Sequence, residues 1–453
     1  MTSHSIKNIG HLIRNERRLG AMASTIFGGQ VVGGITGFCF WALAAHEMVK
    51  DSVGVAGAST GAMTLIGPLG MLGIGTLLIA ELPRLPLAYQ RRTVFDGLVT
   101  VAVAAGAMGL VFAVVGGATL KSFMPLFNDP WSLGWFVVGS ALTGVCSVFD
   151  QIMLVIGAPG AQVARNLVTG LVKLVVLVGL VYFGNVTSVS AALGAWSLGL
   201  LAGAALAITA ILKRLPRGGR QQAPYLQVAR QYRRRALEHH GVNVALFSGS
   251  LLQPVIMGSV LSAGANADFT AIRLVTMFAF LAPFAISMAF FASSVGSTAS
   301  IVRRSERVTA ASLGVAVSCT AGLWFLGPYL LDLFGSGYRS SLDALRIMSL
   351  GVPLLVFKDQ YVALARAADK VGSALWVAGL GALLEVGATL LGSAVGGLTG
   401  SLTAWISVLL IEAIYSWRGL RVIRGILSNP RAGLAADSLS DRTSSTYLQE
   451  GGN

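Results

Sequence analysis

Apolar residues in this chain run in long unbroken stretches instead of alternating with polar ones. Twelve stretches stand out, over 20–45, 53–80, 94–118, 132–156, 164–183, 187–212, 241–263, 268–298, 309–331, 342–365, 371–393 and 396–417. Each is near or above the roughly 20 residues that a helix needs to cross a bilayer core about 30 Å thick. Hydrocarbon offers backbone N–H and C=O groups no partner, so the stretches are predicted as helices. The short alternating segments of an outer-membrane barrel are missing. The expected fold class is therefore all-α and polytopic.

Composition sharpens this picture. Of the 453 residues 54% are hydrophobic and 11% charged, against about 25% charged in an average soluble domain. That excludes an ordinary cytosolic enzyme and a long disordered chain. The 56 glycines suit close helix packing in lipid. The first stretch is too long for a cleaved signal peptide.

The formal charge of +14 would suggest nucleic acid in a soluble protein, but here the loops decide. Alternate loops hold 26 of the 33 Lys and Arg, including Arg84, Arg91, Arg92, Arg165 and the cluster from Lys213 to Arg235. The intervening loops hold Lys50, Lys121, Arg339 and Arg346. The positive-inside rule then places both termini in the cytoplasm, and no nucleic-acid partner is expected.

Domain boundaries follow. Residues 1–19 form an interfacial segment with Ile6, Ile9 and Ile13 on one face. Residues 20–212 form a six-helix bundle, 213–237 a basic linker, 238–418 a second six-helix bundle and 419–453 a cytoplasmic tail. The tail is rich in Ser, Asp and Gly after Asn429 and is expected to be disordered. The halves echo one another: Pro68 with Pro283, Arg91-Arg92 with Arg303-Arg304, and Asp150-Gln151 with Asp359-Gln360 hold matching positions at drifting offsets. Parallel repeats of this kind face each other across an axis along the membrane normal and can rock about it.

Certain motifs are familiar. Span 2 reads Val53-Gly54-Val55-Ala56-Gly57-Ala58-Ser59, then Leu69-Gly70-Met71-Leu72-Gly73-Ile74-Gly75-Thr76 and Leu82-Pro83-Arg84. The second half carries Ala271-Ile272-Arg273 with Ala282-Pro283, then Leu333-Phe334-Gly335, Tyr338 and Leu345-Arg346-Ile347. This resembles the Wzx-like polysaccharide flippases of the multidrug/oligosaccharidyl-lipid/polysaccharide (MOP) superfamily. The resemblance implies two six-helix bundles, MATE-like, around a central V-shaped cavity. It also implies translocation of an isoprenoid-diphosphate-linked oligosaccharide across the bacterial cytoplasmic membrane for cell-surface polysaccharide assembly. The lipid-linked glycan, the bilayer and a polysaccharide polymerase or glycosyltransferases would be its partners. One departure is clear: spans 1 and 2 hold no internal Lys or Arg, only Gln30 and, near one end, Glu81.

A diphosphate calls for cations, and ionisable residues inside a membrane are costly enough to mark sites. Arg273 and Lys358 are assigned the anion-binding role, with Lys173 third and Gln30 as a polar contact. Structural alternatives stand beside each. Lys173 can pair with Asp150, Lys358 with Asp359 or Glu385, and Arg273 can snorkel from the first turns of span 8. Asp359, Glu385 and Asp150 are candidates for ion coupling or for structural pairing. Gly29, Gly33 and Gly37 make consecutive GxxxG steps expected to bring helices close, and Pro68 and Pro283 are hinge candidates, with Pro254 and Pro353 as further kinks. Cys39, Cys146 and Cys319 are expected as small buried hydrophobes, with no metal-ligand spacing. There is no HExxH, P-loop or GxSxG, so no catalytic residue, cofactor or metal is expected. Two rival readings remain: a cation-coupled multidrug exporter of the same superfamily, and a non-transporting scaffold whose intramembrane charges pair off completely.

Overall fold

The computed structural model describes residues 28–29, 31–120, 123–215, 252–294, 301–368 and 370–428. Among these the regular elements are helices. The first lobe comprises α1 (Val31–Glu47), α2 (Lys50–Gly70), α3 (Ile74–Glu81), α4 (Leu87–Thr119), α5 (Met124–Asn128), α6 (Pro130–Val155), α7 (Pro159–Val178) and α8 (Val189–Arg214). The second comprises α9 (252–260), α10 (Ala263–Ser294), α11 (Ile301–Asp332), α12 (Leu342–Ser349), α13 (Gly351–Ala367) and α14 (Val371–Ser428). Gln30, the interfacial segment 1–19 and most of the linker 213–237 lie outside the described residues. Among the described residues, nine helical stretches are long and apolar enough to cross a membrane.

Once the breaks are read, the nine stretches carry ten of the twelve expected spans, 2–6 and 8–12; spans 1 and 7 are described only in part, by α1 and α9. α2 and α3 together make span 2. Pro68 removes an N–H near the end of α2, and the chain then turns through Leu72 (φ 48°) and Gly73 (φ 77°) before helix resumes. α12 and α13 make span 10. Here Pro353 leaves the Ser349 carbonyl without its intrahelical donor, and the Thr320 hydroxyl of α11 donates to it at 3.0 Å. The break lies ahead of α13, so Pro353 starts a helix instead of kinking one. Pro283, by contrast, is carried inside a continuous α10. Asp129 caps α6, accepting from the backbone N–H groups of Trp131 and Ser132 and from the Ser132 hydroxyl; that last bond holds its carboxyl below the usual carboxylate range.

α14 is two spans joined by a reversal. Gly396 (φ −140°, ψ 23°) and Gly397 (φ 57°, ψ −138°) leave the helical region. The two arms then run back along each other: Gly392 packs on the Gly400 carbonyl, and Ser401 donates to the Thr389 carbonyl at 2.9 Å. The second arm continues to Ser428, so the boundary expected at 418 is corrected. Leu420 and Ile423 are buried against Tyr361 and Leu364 of α13, and Arg424 donates to Ser305 and Thr309 of α11. These contacts keep residues 419–428 helical although their composition is no longer that of a span.

The core divides in an informative way. Near the end that carries Lys50 and Ala263, one cluster runs through both lobes, from Phe40, Trp41 and Val53 to Phe269, Ile272 and Tyr338. Toward the arginine-rich end the clusters separate. Phe149, Ile152 and Leu98 belong to the first lobe alone, and Tyr361, Leu364 and Leu420 to the second alone. Glutamines expected at matching positions brace the second span of each lobe. Gln151 lies against Gly75, and Gln360 donates to Ser287 past Pro283 at 2.7 Å. Of the three cysteines Cys146 is buried, but Cys39 is exposed on α1, against expectation.

The reversal supplies a clean test of backbone strain. No heavy atom lies within 4 Å of the place a Cβ would take at Gly396 or Gly397. Gly397→Ala should therefore cost about 1–3 kcal/mol through its φ/ψ alone, while Gly396→Ala should be near neutral. Thermal unfolding of the two purified variants in one detergent checks this.

Candidate functional site

The joint between the lobes is built on α2, the most enclosed of the spans, with 78% of its apolar window buried. Glycines spaced three and four apart give it one bare face. At Gly54 a Cβ would collide with the Ala263 carbonyl; at Gly57 it would lie 2.5 Å from Thr270 Oγ1, and at Gly61 2.7 Å from Pro254 Cβ. Asn266 of α10 donates to the Gly54 carbonyl at 2.6 Å. Next to this seam Lys50 pairs with Asp268 at 2.7 Å, donates to the Gly337 carbonyl at 3.3 Å, and lies 4.9 Å from the centre of the Tyr338 ring. Apolar, hydrogen-bonded and ionic contacts thus close the lobes together at one end.

Beyond the seam the lobes part around a cavity of about 540 Å³. Its first-lobe wall comes from α1, α2, α6, α7 and α8, and its second-lobe wall from α9 and α10. The GxxxG residues of α1 form part of this wall. At Gly33 no heavy atom lies within 4 Å of the place a Cβ would take, while a Cβ at Gly29 would lie 3.1 Å from Asn166 Nδ2 and one at Gly37 3.8 Å from Lys173 Nζ. The approach of one lobe to the other is made by Gly54, Gly57 and Gly61 of α2, because α2 is the helix that meets α10.

Three charged side chains line the cavity: Lys173 and Asp150 from the first lobe and Arg273 from the second. Lys173 does not pair with Asp150. Arg165 takes Asp150 at 2.6 Å and donates as well to Asn166 Oδ1 at 2.8 Å, while Asn166 donates to the Gly29 carbonyl at 3.2 Å. The Lys173 ammonium instead sits 4.1 Å from the centre of the Trp196 ring and 5.7 Å from that of Phe40. Such cation–π contacts contribute about 2 kcal/mol when desolvated and leave N–H donors for a ligand. Arg273 is ten residues into α10, roughly 15 Å from its start, and not in its first turns. Neither Lys173 nor Arg273 makes an ion pair with a described residue. With Asp150 neutralised, the cavity is net cationic.

Lys358 lies elsewhere and does not join them. Its ammonium contacts Glu385 at 2.7 Å and Glu412 at 2.8 Å. Two carboxylates occupy its charge, so its assignment beside Arg273 is corrected. Asp359 has no ion pair among the described residues and does not line the cavity. Two residues outside the expected set prove central. Arg165 sits where the apolar run begins and looked like a loop cation. Glu412 lies near the end of the apolar run 396–417, where a charge gives no sign of a buried partner. Their partners, Asp150 and Lys358, are 15 and 54 residues distant, on other helices, where helical periodicity carries no signal.

No family model and no curated protein matches this sequence. Solved structures do. A multidrug resistance MATE family transporter of the MOP superfamily, in an inward-facing conformation, superposes with a TM-score of 0.66 at 13% identity, over 90% of this chain and 94% of that one. The chain has the MOP-superfamily transporter fold. An outward-facing MATE transporter of the MOP superfamily gives a TM-score of 0.57 at 14% identity, over 91% and 96% of the two chains. A MOP superfamily transporter from Pyrococcus furiosus, described with "reverse polarity of binding pocket", gives 0.59 at 13% identity, over 91% and 97%.

The Lys50–Asp268 pair should hold that end shut. It is partly exposed, so its contribution is about 1 kcal/mol, or about fivefold in a closed–open equilibrium. In a background lacking native cysteines, Lys50→Ala should raise labelling of a Thr270→Cys probe by an impermeant thiol reagent about fivefold. The swap Lys50→Asp with Asp268→Lys should restore protection.

Proposed function

We propose that this chain is a transporter, without catalytic residues, that moves an isoprenoid-diphosphate-linked oligosaccharide across a bacterial cytoplasmic membrane by alternating access. The observation that carries this reading is the pair of cations, Lys173 and Arg273, presented from opposite lobes into one cavity whose lining carboxylate is neutralised by Arg165. A diphosphate bridging the lobes would receive charge-assisted hydrogen bonds from both.

The rest of the lining suits a sugar. Thr60, Thr64 and Thr270 donate their hydroxyl protons to carbonyls of their own helices. Their lone pairs are then left to accept from sugar hydroxyls, as is the buried Asn266 Oδ1, which has no partner among the described residues. Trp41 and Trp196 add flat apolar faces. The volume falls in the ~300–1,000 Å³ range of small-molecule pockets. Hydrogen-bonding groups of the head group would otherwise cross hydrocarbon at a cost of several kcal/mol each. The isoprenoid tail carries no such cost and stays in lipid.

A multidrug exporter with this fold would meet cationic compounds with two like charges, which disfavours that rival. A scaffold would not require unpaired charges around a cavity. The lipid, the glycan and the cytoplasmic placement of the termini belong to this proposal.

Binding to purified protein in nanodiscs tests it, with an isoprenoid diphosphate carrying a short glycan as ligand and a cationic dye as competitor. Arg273→Ala and Lys173→Ala should each weaken the diphosphate ligand about ten- to hundredfold, in line with ~1.5–3 kcal/mol for a hydrogen bond to a charged group. Unchanged affinity in both variants, or tighter binding of the dye than of the diphosphate, overturns the assignment.

A further inference from the structure

The group around Lys358 is more than an ion pair. Lys358 comes from α13, Glu385 from the first arm of α14, and Glu412 from the second arm. Side-chain exposures of 15%, 10% and 6% place all three out of solvent. The two carboxylates, each contacting the same ammonium, lie at most about 5.5 Å apart. Fully ionised, the group carries one net negative charge inside a membrane span.

The two carboxylates are not equally provided for. Glu385 accepts from Lys358 at Oε1 (2.7 Å) and from the Trp405 indole N–H at Oε2 (2.9 Å). Glu412 meets the ammonium through Oε2, at 2.8 Å, and its Oε1 has no hydrogen-bond partner among the described residues. Its Oε1 occupies space left by Gly381, where a Cβ would collide with that oxygen and approach Lys358 Nζ at 3.1 Å. A lysine and a single glutamate would make a neutral, sufficient tie between α13 and α14. The second glutamate adds an uncompensated charge and an orphaned oxygen in a place kept open for it, which as a purely structural arrangement is destabilising.

We propose that Glu412 is a proton-binding site in the second lobe, distinct from the central cavity, where it shares the Lys358 ammonium with Glu385. One proton adds to the Glu412 carboxylate, giving a neutral carboxyl and reducing the net charge of the group from −1 to zero. The Lys358–Glu385 pair persists, while the ionic tie from α13 to the second arm of α14 is released. Sodium or potassium cannot substitute, because the resident ammonium repels them at contact distance. The second lobe thereby acquires a proton-dependent joint.

The surrounding charges leave this assignment intact. On α13 the neighbour is Asp359, one residue from Lys358 and itself without an ion-pair partner among the described residues. α12 contributes Asp343 and Arg346, which pair with each other at 3.7 Å. α10 contributes Arg273, in the cavity. The charged side chains of α11 (Arg303, Arg304, Glu306 and Arg307) flank Ser305 and Thr309, which meet Arg424 twelve residues beyond Glu412, roughly 18 Å along α14.

The test is infrared difference spectroscopy of the full chain in nanodiscs, without substrate, as the pH is lowered. A protonated-carboxyl C=O band should appear, vanish in the isosteric Glu412→Gln variant, persist at a shifted position in Glu412→Asp and persist unchanged in Asp359→Asn. Replacing Na⁺ with K⁺ or choline should leave it unaltered. Absence of a titrating band in the unmodified protein overturns the proposal without recourse to any variant. So does its survival in Glu412→Gln, its loss in Asp359→Asn alone, or its displacement by Na⁺. No substrate enters the measurement, so its outcome is independent of what the cavity carries.

Discussion

A polar group withdrawn from water into hydrocarbon must find a partner inside the protein. Much of this structure is a set of answers to that demand. Where Pro353 strips the Ser349 carbonyl of its helical donor, Thr320 of a neighbouring helix replaces it. Where α2 breaks after Pro68, the chain resumes as helix within a few residues. Arg424 reaches Ser305 and Thr309 across to α11, and Gln360 reaches Ser287 and Ser312. Each answer also ties one span to another, so satisfying polar groups and assembling the lobes are one process.

The same demand sorts the intramembrane charges. Asp150 is met by Arg165, and Lys358 by two glutamates. Lys173 is met by aromatic faces that stabilise its charge without consuming its hydrogen-bond donors. Arg273 is met by no described side chain. The last two therefore retain capacity for a ligand, and both are found in the cavity. Their positions on opposite lobes matter mechanically. A ligand that engages both cations resists separation of the lobes around it, and one that engages either alone does not. Opening at the Lys50 end requires the bare face of α2 to leave the second lobe, against which Gly54, Gly57 and Gly61 are packed through Ala263, Thr270 and Pro254.

The order of the ten spans that the described residues carry was legible in the sequence, because hydrocarbon imposes a length and an apolar composition that survive without tertiary information. The reversal at Gly396 and Gly397 falls within three residues of the gap expected between the runs 371–393 and 396–417, and the Pro353 break could be located although its form was not. What periodicity could not supply was pairing. Asp150 and Lys173 were both visible as buried charges, yet Arg165 was hidden because it begins an apolar run and so resembles an end-of-span cation. Glu412 was hidden for the converse reason: only the antiparallel return of the second arm of α14 carries it to the level of Glu385. The glycines of α1 and α2 follow identical spacing rules, and only the packing of α10 shows which set faces a helix and which faces a cavity.

Fold and polarity therefore carry separate information about substrate. The backbone path, shared at 13–14% identity with MATE transporters, fixes two lobes that can close at one end and part at the other. It does so with contacts of small residues and backbone carbonyls, which are indifferent to the charge of what passes between them. The sign of the cavity is set by a few side chains that such contacts do not constrain: Arg273 on α10, Lys173 on α7, and the Arg165 that cancels Asp150. Removing that one guanidinium would leave a carboxylate among the lining groups and shift the cavity by a full unit of charge, with the lobe joint at Gly54 and Gly57 untouched. A single scaffold can thus present a cavity of either sign, and what such a cavity holds has to be argued from these side chains rather than from the helices that hold them.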